Sequence, residues 1–257
     1  MVGHVIPAGK DVRAIFFDLY GTLVDIRTDE SSPEAWTALC EAVARIDPES
    51  PYRTADDVRD AFECAMELRR PASAGEDYEP DMLPAYRALV PGLSGPRRDE
   101  AARELAWTFR KASTRMIGLY PSAIDLLRRL GASGRRVALV SNAQACYTRP
   151  ELDMLGLTPL FDQVVISSEM AVRKPSPAIF RRALEAIGLA DDPSRALMVG
   201  NDVRCDILGA AGAGIAGAYM RTAISPQDDP PVCERAALSL DGPDYAALME
   251  WLNIPVH

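Results

Sequence analysis

The chain has 257 residues, 48% hydrophobic and 25% charged, a balance that excludes wholesale disorder and a disulfide-stapled miniprotein. Asp plus Glu (37) exceeds Lys plus Arg (28), and the resulting net charge of −9 opposes nucleic-acid backbones and anionic lipid. Only two histidines occur, His4 and His257, which all but excludes a Ser-His-Asp triad, a histidine-ligated zinc and a histidine acid/base.

The N-terminal segment Met1 to Lys10 has no signal-peptide core, since His4, Pro7 and Gly9 interrupt it. No apolar run reaches the ~20 residues of a membrane span. Arg13 to Phe17 is an apolar run closed by Asp18 and Gly21, the pattern of a buried parallel strand. From Ile26 to Gly118 the periodicity is helical and no strand is expected. Trp36, Leu39, Cys40 and Val43 make one stripe, Val58, Phe62 and Met66 a second, and Leu105, Phe109 and Ala112 a third. Breaks at Pro71 to Pro80 and Pro91 to Pro96 separate these helices. Beyond them, strands at Arg136–Val140, Gln163–Ile166 and Ala196–Val199, with weaker ones at Ile215–Met220 and Ala237–Leu240, alternate with helices. The helices are read over Ser122–Leu130, Pro177–Ile187, Asp202–Ala213 and Asp244–Leu252, with Ser176 as N-cap before Pro177. Alternation of this kind predicts an α/β fold, a doubly wound parallel, Rossmann-like sheet with its chemistry at the C-terminal strand ends. The five cysteines contain no CxxC pair and are odd in number, so free thiols in a reducing compartment, the cytoplasm, are expected.

Four polar clusters each follow a strand: Asp18-Leu19-Tyr20-Gly21-Thr22-Leu23, Ser141-Asn142, Lys174-Pro175, and Gly200-Asn201-Asp202 with Asp206 four residues on. A doubly wound sheet brings them to one crevice, and Asp202 and Asp206 share a helix face. A carboxylate nucleophile, a hydroxyl, a cation and an acidic metal ligand suit the transfer of a negatively charged group. Cys205, between the two aspartates, reads as a packing residue rather than a redox site.

In order and spacing, these clusters and the helical insertion resemble the haloacid dehalogenase-like hydrolase superfamily with a C1-type cap. The resemblance spans nearly the whole chain and divides it into an α/β core, 1–25 and 117–257, and a helical cap, 26–116. It implies Asp18 as covalent nucleophile, with Ser141 and amides around Asn142 binding the phosphoryl group and Lys174 neutralising Asp18. It also implies Mg²⁺ held by Asp18, Asp202 and the carbonyl of Tyr20, with Asp206 supporting from one turn away. The implied substrate is a small phosphorylated metabolite; nucleic acid and membrane are not expected partners, and oligomeric state is left open.

Tyr20 departs from the phosphatase pattern, in which a second aspartate serves as general acid/base, and catalysis is expected to turn on this position. Asp-x-Tyr-Gly-Thr-Leu resembles the 2-haloacid dehalogenases, whereas Asp202 is phosphatase-like. The expected activity is Mg²⁺-dependent hydrolysis of a phosphate monoester or acyl phosphate. The alternatives are carbon–halogen hydrolysis and a catalytically impaired phosphate-binding relative. Segments Gly75–Asp81 and Gly92–Gly95, with Arg27, are expected to select substrate. With no carboxylate at this position, aryl and acyl phosphates are expected to outperform alkyl phosphates; should an alkyl ester be cleaved efficiently, a cap acid such as Glu76 or Asp77 is the next candidate to supply the proton.

Overall fold

The computed structural model describes residues 9–255, so His4, His257 and most of the N-terminal segment lie outside the described residues. In chain order the elements are β1 (Ala14–Phe17), β2 (Val24–Thr28), α1 (Pro33–Ile46), α2 (Ala55–Glu67), α3 (Leu83–Ala88), α4 (Gly95–Ser113) and β3 (Thr114–Leu119). They continue as α5 (Ala123–Ala132), β4 (Arg136–Ser141), α6 (Ala145–Met154), β5 (Gln163–Ile166), α7 (Pro177–Ile187) and β6 (Ala196–Gly200). The last are α8 (Gly209–Gly212), β7 (Ala216–Arg221), β8 (Leu238–Asp241) and α9 (Tyr245–Trp251).

Six strands form one sheet in the order β5-β4-β1-β6-β7-β8, every pair parallel. The expected doubly wound sheet is therefore present. Alternate side chains of each strand enter opposite faces. Ile15, Phe17, Val137, Leu139, Leu197 and Val199 pack with α5 and α9, while Ala14, Phe16, Ala138, Val140 and Met198 pack with α7 and α8. Since β1 lies between β4 and β6, the order reverses on either side of it, and that reversal opens the crevice in such sheets. The Ser176 hydroxyl caps α7 by accepting from the Ala178 amide, with Pro177 at the first helical position as expected.

The stretch read as purely helical is bounded by two strands. β2 and β3 pair antiparallel, Ile26 opposite Ile117, in a separate two-stranded ribbon. Each is five or six residues long and only half-buried, so its period-two pattern was masked by the longer helical stripes around it. Between these strands, α1 to α4 bury Trp36, Leu39, Val58, Phe62, Tyr86, Leu105 and Phe109 together. Ser32 caps α1, and Thr54 with Asp57 forms a reciprocal capping box on α2. Ala112 of the third stripe faces solvent, and Pro96 opens α4 rather than belonging to a break. Tyr147 of α6 is the residue through which the sheet unit enters this helical core; its hydroxyl lies 2.5 Å from that of Tyr86. Among the described residues no helix is long and apolar enough to cross a membrane.

Candidate active site

The Asp18 amide donates to the Val199 carbonyl at 3.0 Å, so its carboxylate stands at the end of the central strand. The chain then turns sharply, because the Leu19 carbonyl accepts from the amides of Thr22, Leu23 and Val24. Gly21 has φ +86°, and a Cβ there would lie 2.3 Å from Nδ2 of Asn201. Only glycine satisfies both conditions, and it lets the first cluster close against the fourth.

Lys174 is 2% exposed, and its Nζ donates to Asp18 Oδ1 (2.7 Å), Asp206 Oδ1 (2.7 Å) and the Val140 carbonyl (2.8 Å). Three donors therefore meet three acceptors. Burial alone would favour the neutral amine, yet the carboxylates of Asp18 and Asp206 hold it charged and above the ordinary lysine range. Burial raises Asp206 above the usual carboxylate range, with Lys174 opposing. The second oxygen of Asp206 accepts from the Asp202 amide at 3.0 Å. Its carboxylate occupies the space a side chain at Gly200 would take, 2.2 Å from a Cβ there.

Ser141 is fully buried, its Oγ donating to Asp18 Oδ1 at 3.4 Å. The Asn142 side chain clamps the Lys174 backbone, accepting from its amide at 2.7 Å and donating to its carbonyl at 3.0 Å. Two loops far apart in sequence are thereby fixed to one another beside the nucleophile. Asp202 caps the following turn by accepting from the Cys205 amide at 2.7 Å. That turn, Val203–Leu208, is π-helical where a plain α-helix was expected over Asp202–Ala213. Such widened turns recur at functional sites. Burial and Asp202 push the Cys205 thiol up to about 12, which keeps it protonated and unreactive at neutral pH.

Asp18, Tyr20, Asn142, Lys174, Asp202 and Asp206 line one cavity of about 210 Å³, so the structure brings the four predicted clusters together, the second through Asn142 while the buried Ser141 reaches Asp18 instead of the cavity wall. Three carboxylates face one ammonium there. Among the described residues no group of three or more His, Cys, Asp or Glu side chains is arranged to hold a metal. Asp18 and Asp202 line this cavity as carboxylate donors, the pair that the resemblance assigns to the cation. All are oxygens, and both hydrogen bonds to Asp18 fall on Oδ1, so the set fits a hard divalent cation completed by solvent and substrate oxygens.

A second cavity of about 300 Å³ adjoins the first, sharing Tyr20 and Asn142, and is lined from the helical unit by Glu30, Glu79, Met82 and Arg110. Along β2, Ile26 and Thr28 line it, whereas Arg27 does not. Part of its wall belongs to a cluster that sequence reasoning missed. Arg110 of α4, 6% exposed, donates through Nε to Glu151 Oε1 at 2.6 Å and through Nη1 to Glu30 at 3.2 Å. The Tyr20 hydroxyl donates to Glu151 and lies 3.0 Å from Thr148 Oγ1, while its ring lies 5.7 Å from the guanidinium. Burial and the Glu151 carboxylate raise the Tyr20 phenol far above its ordinary range. The one sequence cue was a charge in line with apolar neighbours, Arg110 after Ala106 and Glu151 after Tyr147.

Of the acids expected to replace the missing aspartate, Glu76 is 93% exposed and 3.8 Å from Arg204. The carboxylate of that segment that lines the second cavity is Glu79. Gly92 bonds Asp47 within the helical unit.

Residues 12–214 match the family described as haloacid dehalogenase-like hydrolases. The chain is 31% identical over 247 residues to a phosphoglycolate phosphatase of Rhodospirillum rubrum, covering 95% of this chain and 92% of that protein. It is 37% identical over 129 residues to a phosphoserine phosphatase of Thermus thermophilus, a match covering 50% of this chain and about half, 51%, of that relative. A 2-haloacid dehalogenase of Pseudomonas syringae superposes with a TM-score of 0.63 at 21% identity, over 94% of this chain and 98% of that one; at that identity it speaks for the fold alone. With four clusters converging on Asp18 and a family match over most of its length, the chain belongs to the haloacid dehalogenase-like hydrolases.

Proposed function

We propose that the protein hydrolyses a small phosphate monoester through an aspartyl-phosphate intermediate, with Mg²⁺ as cofactor. The observation that carries this reading is Lys174, bonded to both Asp18 and Asp206 on the wall of a cavity that Asp202 also lines. Asp18 Oδ2 attacks phosphorus in line with the ester oxygen, the P–O bond to that oxygen breaks, and the alcohol departs. Water then attacks the aspartyl phosphate and releases inorganic phosphate. Lys174 offsets the charge on Asp18 and on the transferring group, and Ser141 with the amides near Asn142 orients the phosphoryl oxygens. Asp18, Asp202 and the Tyr20 carbonyl are the residues that would hold the cation, and Asp206 would fix the Asp202 backbone through its amide. The cation would supply charge neutralisation for the phosphoryl oxygens.

The named phosphatases among its relatives support phosphate over halide. Charge weighs against a metal-free dehalogenase: with no cation bound, Asp18, Asp202 and Asp206 against one lysine repel the carboxylate of a 2-haloacid as they repel any anion. Tyr20 is the observation favouring carbon–halogen hydrolysis. The helical unit, residues 26–116, acts as the cap over the second cavity, which receives the leaving group. Five free cysteines fit a reducing compartment, and we place the protein in the cytoplasm.

A screen of phosphorylated metabolites, p-nitrophenyl phosphate and 2-haloacids, with Mg²⁺ and with EDTA, tests the reading. Phosphate release that EDTA abolishes and Mg²⁺ restores is expected. Halide release undiminished in EDTA would overturn it.

A further inference from the structure

We propose that Glu79, carried by the helical unit, is the proton donor and acceptor for the leaving group, in place of the aspartate absent at Tyr20. This rests on the hydrolase reading above and adds a residue to it. Tyr20 cannot fill the role, since its hydroxyl proton is committed to Glu151. The cavity that adjoins the catalytic one carries two carboxylates on its wall, Glu30 and Glu79. Glu30 is paired with Arg110 at 3.2 Å, which leaves Glu79.

Glu79 is anchored to the sheet unit rather than swinging with a free loop. Tyr78 bridges to Val172, the Glu79 amide donates to the Ala171 carbonyl at 3.4 Å, and the Arg173 amide donates to the Asp77 carbonyl at 2.9 Å. Those contacts fall on the three residues immediately before Lys174. From the other side, Gln144 donates to Glu79 Oε1 at 3.0 Å and to the Pro80 carbonyl at 2.8 Å, two residues after Asn142. Glu79 therefore stands where the loops bearing Asn142 and Lys174 meet the second cavity. Burial raises its pKa above the ordinary glutamate range, with Arg173, Ser167 and Gln144 opposing, which favours the protonated acid a donor needs.

In the first step the Glu79 proton passes to the departing ester oxygen as the P–O bond breaks, giving alcohol, aspartyl phosphate and Glu79 carboxylate. In the second, that carboxylate takes a proton from the attacking water as the bond to Asp18 breaks, which restores the acid and releases phosphate.

Rapid-quench and steady-state kinetics of Glu79→Gln on p-nitrophenyl phosphate and glycerol 3-phosphate test the assignment. Glutamine keeps the acceptor for Gln144, so the fold should persist, and thermal melting checks this. The alkyl ester needs a protonated leaving group, and its cleavage should slow ~10²–10⁴-fold without a burst. p-Nitrophenolate leaves unprotonated, so its first step should slow far less and give a burst of p-nitrophenol ahead of a slow steady state. Glu79→Asp, a retracted acid, should recover part of the alkyl rate. Equal slowing of both first steps, or none on the alkyl ester, would overturn the role of Glu79 alone. A wild-type protein with no Mg²⁺-dependent turnover of either ester would overturn the hydrolase reading and this one together.

Discussion

Two buried ion clusters lie on either side of Tyr20, and they are built to opposite ends. Lys174 is held between Asp18 and Asp206, and all three line a cavity where Asp202 adds a further carboxylate. Arg110 is held between Glu151 and Glu30, and the Tyr20 hydroxyl takes up Glu151 as well. The first leaves negative charge turned toward a space that a cation and a phosphoryl group can fill. The second pairs its one cation with both of its carboxylates and joins α4 of the helical unit to α6 of the sheet unit, with Arg110, Glu30 and Tyr20 on the wall of the second cavity. A buried charge therefore does not announce a reactive site; both clusters border a cavity, and what separates them is the carboxylate charge left over on its wall.

The sharpest way to break this comparison is to remove a carboxylate from each cluster. Asp18→Asn keeps shape and one acceptor for Lys174, so the fold should survive while turnover of p-nitrophenyl phosphate falls below about 1% of wild type. More activity than a few per cent, measured on protein with an unchanged melting curve, would remove Asp18 as nucleophile. In the other cluster, Glu151→Ala strands Arg110 with the half-exposed Glu30 as its remaining partner. Breaking a buried pair in this way costs about 3–5 kcal/mol. Urea unfolding should show that loss, and residual Mg²⁺ dependence of the folded fraction should stay intact. A stability change under about 1 kcal/mol would mean that the guanidinium finds water or another acceptor, and that the cluster is not a clasp.

The cluster around Lys174 was legible in the sequence and the one around Arg110 was not. Asp18, Ser141 and Asp202 lie at or just past the ends of strands whose apolar runs stand out, so parallel pairing carries them to one edge of the sheet, and the Asn142 clamp brings the Lys174 loop to the same place. Arg110, Glu151 and Tyr20 come from two helices and a turn, and Arg110 and Glu151 are 41 residues apart; no local pattern links them. Glu79 was hidden for a related reason. Its Gly/Pro-rich segment reads as a connection, and only the backbone bridge of Tyr78 to Val172 brings it beside Lys174. Glu76 and Asp77 were the fallback candidates because they lay in the right segment, three and two residues from the side chain that lines the cavity. The β2–β3 ribbon escaped because half-buried strands of five and six residues give a weak period-two signal.

The smallest change separates the two roles open to Tyr20. Tyr20→Phe deletes the hydroxyl but keeps the ring over Arg110, so the cation–π contact at 5.7 Å remains. If the hydroxyl serves the clasp, its loss removes one hydrogen bond to the Glu151 carboxylate. Bonds to charged groups contribute about 1.5–3 kcal/mol, and the lower part of that range applies here because Glu151 retains Arg110. Unfolding should then show a modest fall in stability, with alkyl phosphate hydrolysis much less affected than by Glu79→Gln. If the hydroxyl instead protonates the leaving group, the ranking inverts, and alkyl turnover falls ~10²–10⁴-fold with little change in the melt. The geometry favours the first outcome. A phenol raised so far by burial and by the carboxylate beside it keeps its proton, and that proton is already donated to Glu151 of α6.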